Sequence, residues 1–139
     1  MYGTKFNAIT TGEEPDQTAD GAAWAYAAPA GGMTTTAALP IKAATTVTRY
    51  GVVIGLRAYC TGLQISTDSL TTPTEIVILD GTTVIWRAFL RSGTGSNASF
   101  DAPFQTGALR SSPGAALNVQ ILTATGTAVY VNAQGYVGN

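Results

Sequence analysis

The chain contains no histidine and a single cysteine, Cys60, in 139 residues. Histidine is the commonest general base, the usual activator of a nucleophile and the commonest metal ligand. Its absence removes most nucleophile–base pairs and most transition-metal sites together. One cysteine cannot form an intrachain disulfide. With no imidazole to take its proton, Cys60 reads as a small apolar residue of a strand. Charge is scarce as well: 11% of residues are Asp, Glu, Lys or Arg, against about 25% in ordinary soluble domains. The net charge is −1, and Arg49, Arg57, Arg87, Arg91 and Arg110 are scattered along the chain. Nucleic acid is held by clustered Lys and Arg, so it is not an expected partner. No apolar run approaches the ~20 residues of a membrane helix, and no membrane partner is expected. Met1-Tyr2-Gly3-Thr4-Lys5-Phe6 lacks a charged segment followed by an apolar one, so no signal peptide is expected.

What replaces charge is Thr, Ser, Gly, Ala and Asn, while the hydrophobic fraction stays at 45%. Disorder goes with low hydrophobicity and high net charge, and this chain has neither. A chain of this length buries roughly 68–70% of its unfolded surface, enough for one core without a metal or disulfide. A weakly charged, Thr-rich exterior suits a protein covered by other subunits, and it also suits an extracellular β-sandwich.

Residues 1–20 stand apart from residues 21–139. They hold Glu13, Glu14, Asp16 and Asp20, half of the eight acids, with apolar residues only at intervals, and no helical or strand period. They read as an extended N-terminal arm, with Phe6 and Ile9 as apolar anchors. From Ala22 the chain becomes short apolar segments between turn residues. Ala22–Ala28 is expected as a strand with Trp24 and Tyr26 on one face, since seven residues are too few for a stable isolated helix. Thr36–Ala43 is a second strand, with Pro40 favouring a sheet edge or bulge. Val52–Ser66 is a third, with Gly55 and Gly62 as bulge points.

The clearest local signal is Asp80-Gly81-Thr82 between Glu75–Leu79 and Thr83–Leu90. Asp-Gly between apolar runs marks a hairpin, because glycine reaches positive φ without steric cost. Ala98–Phe104 is a further strand between the loops 92–97 and 106–114. Ala115–Thr123 and Thr127–Val137 alternate about Gly126, with Leu117, Val119 and Ile121 on one face of the first. In the second, Val129, Val131 and Ala133 oppose Tyr130, Asn132, Gln134 and Tyr136. About eight strands and no amphipathic helix predict an all-β fold: a single antiparallel β-sandwich, an eight-stranded jelly roll by strand count.

No catalytic residue, metal ligand or cofactor is expected. Two carboxylates facing each other would suffice for a glycosidase, but outside residues 1–20 only Asp68, Glu75, Asp80 and Asp101 are available. Asp80 belongs to its turn, and Glu75 with Asp101 is the one pair worth weighing. The spacing of oxygen ligands does not match a calcium loop. Gly93-Thr94-Gly95 resembles part of a phosphate loop, but a strand follows it where the anion would need a helix N-terminus. Tyr130, Gln134 and Tyr136 form a face suited to a sugar or, more readily, to a neighbouring subunit.

Several stretches together resemble a family of small virion proteins of tailed bacteriophages and prophages. They are Trp24-Ala25-Tyr26-Ala27-Ala28 with Gly31-Gly32, Ile41-Lys42-Ala43-Ala44, Arg57 to Ile65, and Thr74-Glu75-Ile76 leading to Asp80-Gly81. Val84-Ile85-Trp86-Arg87, Phe100-Asp101-Ala102-Pro103-Phe104 and the closing Val129 to Tyr136 complete the set. The run Asn132-Ala133-Gln134-Gly135-Tyr136 carries the likeness most strongly. The resemblance implies a capsid decoration or cement protein on the outer surface of the phage head, assembled in the bacterial cytoplasm. Its partners would be the major capsid protein and further copies of itself, a trimer being favoured. Phe6, Ile9, Trp24, Tyr26, Tyr130, Gln134 and Tyr136 are the expected contact residues. The alternative is a head-fibre or tail-associated adhesion module whose polar loops, 67–73, 92–97 and 106–114, bind host glycans.

Overall fold

The computed structural model describes residues 21–92 and 109–139. The N-terminal arm with Phe6 and Ile9, the strand Ala98–Phe104 with Asp101, and most of the loops around that strand lie outside these residues. The described chain is all-β: β1 (Ala23–Ala27), β2 (Leu39–Lys42), β3 (Thr45–Arg49), β4 (Val52–Thr67), β5 (Thr74–Asp80), β6 (Thr83–Leu90), β7 (Leu117–Ile121) and β8 (Val129–Gly138). They form two antiparallel four-stranded sheets, ordered β1-β8-β4-β3 and β2-β7-β5-β6. No helix among the described residues is long and apolar enough to cross a membrane.

Alternation builds the core. Val129, Val131 and Ala133 of β8 face Leu117, Val119 and Ile121 of β7 and Ile76 and Ile78 of β5 in one buried cluster. Trp24 and Tyr26 close it from β1, and Met33, Leu70 and Leu109 add to it from outside the strands. Leu70 makes the polar segment 67–73 more than a surface loop, since it places a buried side chain in the core.

The long strand β4 changes phase partway. Ala58 and Cys60 are buried at even positions, Leu63 and Ile65 at odd ones. A regular strand would send one of these pairs to solvent, because side chains alternate with period two. The register against β8 shifts between Cys60 and Gly62, so that Cys60 opposes Gly135 and Gly62 opposes Gln134. The extra residue, Thr61, restores both pairs to the core, as a β-bulge does. Strand β8 keeps its phase throughout, and Gly135 makes that possible. A Cβ there would collide with the Tyr59 carbonyl and approach the Trp24 ring to 2.8 Å. Trp24 sits directly across from Gly135 and donates its indole N–H to the Tyr136 carbonyl at 3.1 Å.

Three expectations need correction. The strand placed at Thr36–Ala43 is confined to Leu39–Lys42; it is a sheet edge with a shift between Pro40 and Lys42, as Pro40 favours. The chain then enters the other sheet as β3, a strand that the sequence pattern does not predict. Tyr50 and Gly51 turn β3 into β4 with φ of 52° and 77°, a two-residue loop with both residues at positive φ. Gly55 is not a bulge: it pairs regularly with Thr46. It is needed for close approach, since a Cβ there would lie 2.6 Å from the Gly114 nitrogen.

The hairpin at 80–83 stands as expected, with Gly81 at φ 62° and Asp80 opposite Thr83. Replacing Gly135 with alanine forces backbone apart at the bulge. We expect Gly135→Ala to cost about 3 kcal/mol and to lower the melting temperature by roughly 10 °C, measured by calorimetry. A shift within 2 °C would show that the bulge tolerates a side chain.

Candidate functional site

The expected contact residues that lie among the described residues fall on opposite faces of one sheet. Directly opposed residues share a face, and the β1–β8 register pairs Trp24 with Gly135 and Tyr26 with Ala133, but Ala25 with Gln134 and Ala23 with Tyr136. Trp24 and Tyr26 therefore point inward and pack against the core. Tyr130, Gln134 and Tyr136 lie on the outer face with Asn132. The two aromatic residues of β1 are core residues, half-buried rather than free to anchor a partner. Burial raises the Tyr26 phenol above its usual value, and its oxygen is shielded with no hydrogen-bond partner among the described residues.

The outer face continues across β4, where Tyr136 opposes Tyr59, Gln134 opposes Gly62, Asn132 opposes Gln64 and Tyr130 opposes Ser66. Tyr59 and Tyr136 stack with ring centroids 4.7 Å apart and planes 9° from parallel. The Tyr59 hydroxyl donates to the Asn139 carbonyl at 2.7 Å. The sequence marked Tyr136 but missed Tyr59, because only the register brings them together. Arg57 is the one charged side chain on this face of β1, β8 and β4, and its guanidinium donates to the Ser111 carbonyl at 3.2 Å.

A second surface is the β3–β4 hairpin. Residues Val52 to Leu56 pair with β3, and β8 begins to pair with β4 only at Arg57, so the hairpin extends past the end of β8. Val47 and Leu56 pack with Val137 at its base. At its tip Tyr50, Val52 and Val53 are 62%, 59% and 68% exposed. Val52 opposes Arg49 while Val53 opposes Thr48, so the tip is apolar on both faces.

Of the acids considered for chemistry, the described ones, Asp68, Glu75 and Asp80, have structural partners. Glu75 takes both contacts from Arg87, at 3.1 and 3.2 Å, across the β5–β6 pair. Asp80 does more than turn its hairpin: it accepts from the Ser112 amide at 2.8 Å and the Ser112 hydroxyl at 2.6 Å. That contact ties the β5–β6 turn to the segment running along β4. Asp68 lies past the end of β4 and accepts a long contact, 3.5 Å, from the Tyr130 hydroxyl. No group of three or more His, Cys, Asp or Glu that could hold a metal is found among the described residues. Cys60 is buried in the core, and desolvation pushes its thiol up, partly offset by contacts with the Gly62 and Gln134 backbone.

Comparison with family models, with curated proteins and with solved structures finds no match to this chain.

Two outcomes follow from these contacts. Asp80→Ala should cost about 1 kcal/mol in denaturant titration, with Asp80→Asn costing less because the amide oxygen can still accept. For Cys60, the folded thiol ionises at higher pH than the unfolded one. The stability it contributes is complete below about pH 8.5 and is lost as pH rises from there through the folded value. Alkylation of Cys60 at pH 8.5 should accordingly be slow in the folded protein and become fast with unfolding. Rapid labelling without unfolding would contradict its burial.

Proposed function

We propose that this protein is a capsid decoration protein of a tailed bacteriophage: a jelly-roll sandwich with an N-terminal arm, bound to the outside of the assembled head. The observation that carries the reading is the β3–β4 hairpin tip. Tyr50 adopts φ 52°, a region that a bulky residue rarely enters and that costs on the order of 1–2 kcal/mol. Asparagine is the residue such a turn favours. A strained aromatic beside two exposed valines stabilises neither the fold nor the free monomer in water. Strain of this kind clusters where a protein makes contacts, and an aromatic anchor is a common centre of binding energy.

The resemblance to virion proteins points to the capsid as the partner, and the thinly charged surface suits broad subunit contact. Binding only the assembled lattice of major capsid protein would stabilise it by mass action. Residues 1–20, with Phe6 and Ile9, supply a second gripping element in this reading, and closed trimers would present several tips at once. The function is contact and needs no catalytic group.

The pairing supports the jelly roll. β1 pairs with β8, β2 with β7 and β5 with β6, while Tyr59 of β4 bridges to Arg110. The four pairings nest inside one another along the sequence. A single long hairpin rolled into two sheets gives this order, which is the jelly-roll architecture.

The test uses purified protein and capsids stripped of it, with capsid heat resistance as readout. We expect saturable binding and raised heat resistance. Tyr50→Asn combined with Val53→Thr should weaken binding about tenfold or more, while Tyr50→Asn alone leaves the free protein equally stable or about 1 kcal/mol more so. If the unaltered protein does not bind, the capsid reading fails. If the tip variant binds like the parent, the hairpin is not the contact.

A further inference from the structure

We infer that the outer face of β1, β8 and β4 carries a binding site for an uncharged polysaccharide, centred on Gln134. The register brings three carboxamides together. Gln64 opposes Asn132 across the β4–β8 pair, and one step along the same face Gln134 opposes Gly62. All three side chains are exposed, and none makes a hydrogen bond within the described structure. Each can both donate and accept, which matches the paired donor and acceptor character of sugar hydroxyls.

The missing side chains give these amides a floor. Two depressions lie on either side of Gln134. The first, about 200 Å³, is formed by Gly62, Gln64, Asn132 and Gln134 with backbone of Leu63 and Ala133. The second is more open, about 410 Å³, and is formed by Ala23, Trp24, Ala25, Thr61, Gln134 and Gly135. The Gln134 side chain leans toward Gly62, whose Cβ would meet it at 3.2 Å. It therefore stands as a divider between two hollows. Neighbouring strands lie about 4.8 Å apart and same-face residues just under 7 Å apart, the scale of one sugar ring. A chain crossing from Ala25 over Gln134 to Gln64 would seat a ring in each hollow. Tyr136, held rigid by its stack on Tyr59, offers an aromatic surface at one end.

Charge decides among occupants. The face has no carboxylate on its strands, Asp68 against Tyr130 lying just past the end of β4, and its one cation, Arg57, stands opposite Gly138. A sulfated or uronic acid polymer, which needs several cations, meets only that one on these strands, well along β4 from Gln64. A protein partner fits less well than sugar, because interface centres are apolar and this centre is amide, glycine and alanine. The neutral face thus fits a neutral glycan, a binding activity separate from the capsid contact assigned to the hairpin.

Affinity electrophoresis of the full chain in gels containing mannan, dextran, galactan or xylan, with alginate as the charged control, tests this directly. We expect retardation by at least one neutral polymer that persists in high salt. Gln64→Ala with Asn132→Ala should weaken it about tenfold or more, the loss of two hydrogen bonds, with an unchanged melting temperature. Retardation by alginate alone, by none of the polymers, or equally in the double variant would overturn the site.

Discussion

The fold depends on one steric constraint, the point where β4 gains a residue and β8 has no side chain. With Thr61 added between Cys60 and Gly62, Ala58 and Cys60 share the interior with Leu63 and Ile65. Without that shift half of β4 would turn its apolar residues to water, and the β4–β8 pair is the central seam of its sheet. Gly135 is the other half of the device: it admits the Tyr59 carbonyl and the Trp24 ring where a Cβ would stand. The same bulge brings Gly62 opposite Gln134, so the hollow on the outer face is a by-product of packing the core.

Because β4 is sixteen residues long, it serves two purposes. Its second half closes the core against β8, and its first half runs past the end of β8 with β3 as a hairpin. The base of that hairpin is held by a small apolar cluster of Val47, Leu56 and Val137, so its tip is carried on a supported stem. Local strain and exposed apolar area at the tip work against solubility and stability. Their presence together is the strongest physical argument for a partner. Core, hairpin and outer face therefore divide the tasks of stability, proposed attachment and proposed recognition among separate parts of one small fold.

Much of this fold was legible in the sequence because periodicity and turn chemistry are local. Asp80-Gly81 marked its hairpin, Leu117, Val119 and Ile121 marked β7, and Pro40 marked an edge. β3 was not legible: Thr45 to Arg49 is short and mostly polar, and Tyr50-Gly51 lacks the asparagine that signals such a turn. Glycine in a strand has two meanings, and the sequence could not say that Gly62 marks a bulge while Gly55 marks a close approach to Gly114. The candidate site was less legible still. Residue type groups Trp24 and Tyr26 with Tyr130, Gln134 and Tyr136, yet register sets the two groups on opposite faces. The partners Tyr59 with Tyr136 and Asp80 with Ser112 are far apart in sequence, and only tertiary pairing joins them.

Hydrogen–deuterium exchange of the protein, free and bound to capsids, is the direct test of proposed attachment through the strained hairpin. Attachment there brings new protection across Thr45 to Leu56, while the amides of β5 and β7, already buried at the core, stay as they were. Bound protein whose hairpin exchanges as fast as in solution, with protection arising on another surface, would contradict it.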